Sequence, residues 1–182
     1  MGAPEYDDPM NLAFLYGEVT KDFLLNIPFT KRGETILDIG CGTGFAFEVL
    51  KDRFDRLNLS GIGIDPAKGM LDLARGKYAN AQKFKFLFGS FENIPLPDRS
   101  VERIISTLAL HWVKDFGIAV KEMRRVLTNN GRLRPHAALK WAKMAVSTIL
   151  RNSGKNSTTF SIEKKLLSPM LPCLIARLIL SR

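Results

Sequence analysis

Cysteine is scarce in this chain: Cys41 and Cys173 are the only two among 182 residues, far apart and without the spacing of a metal site. That usage excludes a disulfide-stapled miniprotein and suits a reducing interior, so the expectation is a cytoplasmic protein. Long apolar runs are lacking as well. Every greasy stretch is interrupted by Pro, Lys or Arg before it reaches the roughly 18 residues of a membrane-spanning helix, so no transmembrane segment is expected. Met1 to Asp8 is acidic and has no basic region leading into an apolar one, unlike a secretory leader. No internal repeat is visible. With 46% hydrophobic and 25% charged residues the composition is that of an ordinary globular chain, neither disordered nor collagen-like. Its length suits one domain with a substantial core.

An excess of acid is also missing, and the formal net charge is +9. The distribution matters more than the total. Residues 134–182 hold nine Lys and Arg against the single acid Glu163, a net +8, while the first 133 residues carry 18 basic and 17 acidic side chains, a net +1. A nearly neutral body is therefore joined to a basic tail.

The body alternates short apolar runs with helical patterns, the signature of βαβ units. Thr35 to Ile39 reads as a buried strand, and Thr43 to Phe54 as a helix with Phe47, Leu50 and Phe54 on one face. Gly61 to Asp65 reads as a second strand. Pro66 suits the first position of the helix that follows, which carries Met70, Leu71 and Ala74. Lys83 to Phe88 and Val101 to Thr107 give two more strands. Phe116, Ala119, Val120, Met123 and Leu127 mark an amphipathic helix, expected to stop at Asn129-Asn130-Gly131 through a left-handed cap. Gly131 to Leu133 should open a fifth strand, which Pro135 makes hard to continue. Beyond it, Ala137 to Leu150 looks helical, Asn152 to Thr159 is a polar linker, and Leu166 to Leu180 is apolar with two prolines.

The central motif is Asp38-Ile39-Gly40-Cys41-Gly42-Thr43-Gly44, placed between a strand and a helix. Glycines there let a ligand approach the backbone closely, and the helix start offers free N–H groups. Asp38 would repel a pyrophosphate but can accept from an ammonium group. Asp65 closes the second strand 21 residues after Gly44, where an acid can take both hydroxyls of a ribose. A ligand with an amino-acid end and a ribose end satisfies both carboxylates.

Four segments, Ile36 to Gly44 (ILDIGCGTG), Gly61 to Leu71 (GIGIDPAKGML), Gly89 to Ser100 (GSFENIPLPDRS) and Leu127 to Leu133 (LTNNGRL), resemble in order and interval the motifs of class I S-adenosylmethionine-dependent methyltransferases, of the type 11-like group. The resemblance implies an α/β fold with a Rossmann-like, doubly wound, mostly parallel sheet whose C-terminal strands are atypical or missing. It implies a cofactor-binding core over residues 1–133 and S-adenosyl-L-methionine as cofactor. The methionine part would lie over Asp38, Gly40, Cys41, Gly42 and Gly44, and the ribose on Asp65. Pro66, Met70, Ser90 and Phe91 would surround the adenine, and Leu108 would complete the site. Ser90 departs from the pattern, since most relatives have an acid there, and a neutral hydroxyl makes a weaker hydrogen bond to the adenine amino group.

Leu108-Ala109-Leu110-His111-Trp112 resembles the branch of malonyl-carrier-protein O-methyltransferases, and a mitochondrial complex I assembly factor of methyltransferase fold is similar there too. His111 is thus either a general base facing the acceptor or a packing partner of Trp112. Trp112, Phe91 and Phe116 read as core or as substrate clamps. Tyr6 and Tyr16 read as a segment over the cofactor or as helix packing, Cys41 as a small buried residue, and Glu92 and Asp98 as parts of a solvated turn around Pro95 and Pro97. The Asn/Asp-Pro-Pro-aromatic signature of amino-methylating nucleic-acid enzymes is absent after the fourth strand.

The expected function is therefore methyl transfer to a small-molecule or carrier-bound acceptor. A catalytically silent or truncated methyltransferase-fold protein acting by binding alone is the alternative. The basic tail reads as a contact for nucleic acid or an anionic membrane, as an exposed helix, or as unrelated sequence introduced by a change of reading frame or splice choice near Leu133, where resemblance and charge balance end together.

Overall fold

The apolar runs around the glycine turn become neighbouring parallel strands in the computed structural model, which describes residues 17–29 and 31–136. In chain order the elements are α1 (Gly17–Leu25), β1 (Thr35–Ile39), α2 (Phe45–Val49), α3 (Lys51–Arg56), β2 (Ser60–Asp65), α4 (Lys68–Lys77), β3 (Phe84–Phe88), β4 (Val101–Thr107), a 3-10 turn (Leu110–Trp112), α5 (Phe116–Val126) and β5 (Leu127–His136). The five strands lie in the order β3-β2-β1-β4-β5, and all four pairings are parallel. Parallel strands buried on both faces draw on apolar residues of both parities, and β1 supplies Ile36, Leu37 and Ile39 and β4 Val101, Ile104 and Ile105.

One face of the sheet packs Ile36, Ile105 and Phe86 against Leu24 of α1, Phe47 of α2, Phe54 of α3 and Leu71 and Ala74 of α4. The other packs Leu37, Ile39 and Ile104 against Phe116, Ala119, Met123 and Val126 of α5. Helices thus cover both faces, as the sequence predicts. The direction of winding reverses between β1 and β4, and open α/β sheets bind ligands at that switch, outside the carboxyl ends of the strands.

The opposite, N-terminal edge of the sheet is closed by charge. Arg103 is fully buried, and its guanidinium donates to Glu34 at 3.1 Å. Phe29 lies between two cations, with Arg103 Cζ 4.8 Å and Arg53 Cζ 5.8 Å from its ring centre. Arg53 also donates to the carbonyls of Leu25 and Ile27, which pins the end of α1 to this edge.

The structure differs from the sequence reading at four places. The helix expected over 43–54 is two helices meeting at Leu50, which is buried and keeps Phe47 and Phe54 on the same core. Pro66 is not the first helical residue: the Asp65 carboxylate accepts from Ala67 N at 2.8 Å, and this side-chain turn delays α4 to Lys68. Asn129-Asn130-Gly131 does not cap a helix. Leu127 pairs with Val101 and Arg132 with Arg103, so the intervening residues form an irregularity within β5. Pro135 continues β5 opposite Ser106, in the outermost described strand, where a missing donor is tolerated.

Among the described residues no helix is long and apolar enough to cross a membrane. Tyr6, Tyr16, Cys173 and all readings of the segment after His136 lie outside the described residues.

Replacing Glu34 by Ala deprives the buried Arg103 of its carboxylate and should cost about 3 kcal/mol, whereas Glu34→Gln, which keeps an acceptor, should cost clearly less. Urea unfolding of the two variants checks this, and equal losses would show that the charge of Glu34 is what matters.

Candidate functional site

Strand β1 ends in Asp38 and Ile39, and alternation puts Asp38 on the face of Ile36, under α1 and α2. The turn that follows needs backbone angles that L side chains avoid: φ is +74° at Gly40, +54° at Gly42 and +84° at Gly44. At Gly40 space is the second constraint, because a Cβ there would overlap the Cβ of Ala109, from the turn after β4. The chain can therefore cross at the switch point only with a glycine. Gly40 N and Cys41 N both donate to the carbonyl of Ile64, at 2.8 and 3.1 Å, which joins the turn to β2.

Asp65, at the end of β2, accepts from Gly42 N at 2.9 Å through one oxygen and from Ala67 N at 2.8 Å through the other. Its side chain thus holds the glycine turn and the start of α4 in one arrangement. Tyr78, at the far end of α4, donates to the carbonyl of Gly44 at 2.9 Å and fixes the other side of the turn.

Asp38 contrasts with this. It is 1% exposed, and neither carboxylate oxygen has a hydrogen-bond partner. Burial, with the nearby charge of Asp65 second, pushes its carboxyl up to about 8. A buried polar group without partners is uncommon in native proteins and marks a place where a ligand can supply them. Cys41 is buried, and burial raises its thiol far from the reactive range, which fits a packing residue.

The remaining candidates ring the same C-terminal edge of the sheet. Pro66 is exposed and Met70 half-buried beside Asp65 in sequence. Ser90 is half-buried after β3, and Phe91 is buried in the core under α5, so Phe91 is core and not an exposed clamp. Phe116 is buried there too, whereas Trp112 is 74% exposed. Leu108 adopts φ +56°, a strained conformation for leucine that turns the chain over Gly40. His111 lies in the 3-10 turn, and its side chain is outside the described residues.

The sequence reading missed two residues that hold this edge together. One is Tyr78. The other is Glu92, expected on a solvated turn: one of its oxygens accepts from Lys114 N at 2.6 Å and Asp115 N at 3.2 Å, and the other from the Ser90 hydroxyl at 3.1 Å. Burial works against its ionisation, but the amides of Lys114 and Asp115 and the Ser90 hydroxyl together hold the carboxyl below the usual range. Asp98 is likewise engaged, by Arg125 at 2.9 Å, although its side chain stays largely exposed. An acid three residues before a proline carries no sign of which distant amides it will meet, so the role of Glu92 was not legible.

A family model described as a methyltransferase domain matches residues 37–134. The malonyl-[acyl-carrier protein] O-methyltransferase of Yersinia pestis is 36% identical over 129 residues, covering 71% of this chain and 44% of the relative. That of Serratia marcescens is 35% identical over 108 residues, covering 59% of this chain and 40% of the relative. The chain thus spans less than half the length of these two relatives. Among solved structures, an S-adenosylmethionine-dependent methyltransferase from Aquifex aeolicus superposes with a TM-score of 0.59 at 26% identity, covering 73% of this chain and 69% of that one.

The state of Asp38 sets a pH dependence. In the unfolded chain its carboxyl has the ordinary aspartate value of about 4, and in the folded chain burial raises it to about 8. Between these values the folded chain keeps a proton that the unfolded chain has released, so ligand-free stability should fall as pH rises through that window. Urea unfolding at pH 5 and pH 8.5 measures the decline, and Asp38→Asn should flatten it and be the more stable protein at the higher pH. A slope unchanged in Asp38→Asn would assign the effect to another group.

Proposed function

The chain belongs to the methyltransferase-domain family, and on that premise we propose that it binds S-adenosyl-L-methionine at the glycine turn and transfers the methyl group to a carrier-bound or small-molecule acceptor. The observation that carries this reading is the Asp38 carboxylate, buried at the switch point with both oxygens unpartnered. The residues fit the cofactor. An ammonium group beside Asp38 gives that carboxylate its missing partners and favours its charged form, so binding draws the proton off. The positive φ of Gly40, Gly42 and Gly44 folds the backbone tightly at the carboxyl end of β1, where a ligand can reach the chain at residues that bear no side chain. Asp65 has used one lone pair on each oxygen for Gly42 and Ala67, and a carboxylate keeps about two more for the hydroxyls of a ribose.

Ser90 accepts from Glu92 N at 3.2 Å and donates to the Glu92 carboxylate, so one lone pair of its oxygen remains for an adenine amino group. That is a single neutral acceptor, which supports a weaker grip on the base than an acid would give. Pro66 and Met70 complete this end in the proposal, with Phe91 as the core residue that anchors Ser90 beneath it, and Cys41, Gly42, Gly44 and Leu108 line the methionine end.

When bound, the cofactor supplies an electrophilic methyl group on a sulfonium. The protein's share of such a reaction is alignment, and holding acceptor and methyl in line can account for several kcal/mol of the barrier without a dedicated acid or base. The turn after β4, carrying His111 and the exposed Trp112, is the acceptor side of this arrangement, with His111 as the candidate base for an acceptor that must lose a proton. A carrier-bound acid is the favoured acceptor, supported by the two carrier-protein O-methyltransferases among the relatives. The cytoplasm is the proposed compartment, in keeping with a buried, reduced Cys41.

Calorimetric titration with S-adenosylhomocysteine should show saturable binding that Asp65→Ala abolishes, with circular dichroism confirming that the variant is folded. A folded parent chain that shows no saturation would end the cofactor reading. Transfer of labelled methyl from S-adenosyl-L-methionine to a malonyl-carrier protein then tests the acceptor class.

A further inference from the structure

Helix α1 carries a second buried oxygen in the same condition as the Asp38 carboxylate. Thr20 is 3% exposed, and its hydroxyl has no hydrogen-bond partner. Ser106, the other buried hydroxyl in that state among the described residues, shares the face of Ile104 and so lies across the sheet from Asp38. Thr20 lies on the same side as Asp38. Leu24, four residues on and hence on the same helix face, packs in one cluster with Ile36, Cys41 and Phe47.

The direction of α1 decides which end of the site Thr20 reaches. Its C-terminal end is pinned at the N-terminal edge of the sheet, where Arg53 takes the carbonyls of Leu25 and Ile27 and Phe29 meets Arg103. The helix therefore runs against the strands, and stepping back from Leu24 to Thr20 moves about 6 Å toward the C-terminal edge. That edge holds Asp38 and the glycine turn. A threonine that only packed would gain nothing from a hydroxyl buried without a partner, and such burial costs free energy in the ligand-free chain.

Resting on the cofactor reading above, we infer that Thr20 is a ligand-binding residue for the amino-acid end of the cofactor, its hydroxyl donating to the α-carboxylate while Asp38 accepts from the α-ammonium. The two side chains are chemically complementary to a zwitterion: one is a donor, the other an acceptor. A ligand without an amino-acid end would gain nothing from Thr20.

The test uses the full chain and two probes, S-adenosylhomocysteine and 5′-methylthioadenosine, which lacks the amino-acid end. Thr20→Val removes the hydroxyl and keeps the branched shape, and Thr20→Ser keeps the hydroxyl. Thr20→Val should bind S-adenosylhomocysteine about tenfold more weakly, as expected for one lost hydrogen bond to a charged group, and bind methylthioadenosine as the parent does. Its thermal midpoint should be unchanged or higher, and Thr20→Ser should restore most of the affinity. Weakening of both probes alike, or S-adenosylhomocysteine binding within twofold of the parent, would overturn the assignment while leaving the cofactor reading intact. A folded parent that binds neither probe would overturn both.

Discussion

Everything at the C-terminal edge of the sheet depends on the close crossing of Gly40 and Ala109. The turn after β1 and the turn after β4 approach until no Cβ fits at Gly40, and this contact holds the two strands at which the winding of the fold reverses. The positive φ of Leu108, the residue before Ala109, is the strain accepted to turn the chain over the glycine. Close packing at one point thus goes with a distorted backbone beside it, at the end of the strand next to the one that carries the buried Asp38.

The two edges of the sheet handle charge in opposite ways. At the N-terminal edge the buried Arg103 meets the opposite charge of Glu34, and Phe29 lies near two guanidinium groups, so charge there is balanced within the chain. At the C-terminal edge Asp38 is buried with neither oxygen partnered and beside a like charge, that of Asp65. Leaving such groups unsatisfied lowers stability, whereas a ligand that supplies their partners is stabilised by the same preorganisation. The contrast separates the end that holds the fold from the end that is arranged for binding.

How much of this was legible in the sequence follows from the range of each interaction. The places of β1 and β4 match the sequence because adjacent apolar residues, Ile36-Leu37 and Ile104-Ile105, serve the two faces of a strand covered on both sides. The places of Asp38, Gly40 and Asp65, at the ends of two strands and in the glycine turn between strand and helix, were legible because a glycine-rich run directly after an apolar one marks a strand end. Asn129-Asn130-Gly131 misled because the same residues serve a helix cap or a strand irregularity, and pairing with β4, distant in sequence, decides between them. Thr20 was silent for a related reason: its burial depends on the direction of α1, which Arg53 and Phe29 fix from outside the helix.

Glu92 shows how such distant ties join the parts of the site. Through one carboxylate it links Ser90, after β3, to the amides of Lys114 and Asp115, after β4. Asp115 in turn caps α5 by accepting from Ile118 N at 3.0 Å. Farther along the same loop, Glu122 accepts from Ile94 N, and Arg125 donates to the carbonyls of Ile94 and Leu96. The loop from Ser90 to Asp98 is therefore fastened to α5 at several points, by backbone groups that would otherwise be left unpaired. The proposed adenine side and acceptor side thereby become parts of one body. A displacement of Ser90 must carry Lys114 and Asp115, which follow the turn of His111 and Trp112, with it or break hydrogen bonds to an ionised carboxylate, which are stronger than neutral ones. In the proposed transfer, whose catalysis is mainly alignment, rigidity between those two loops would keep acceptor and methyl in line.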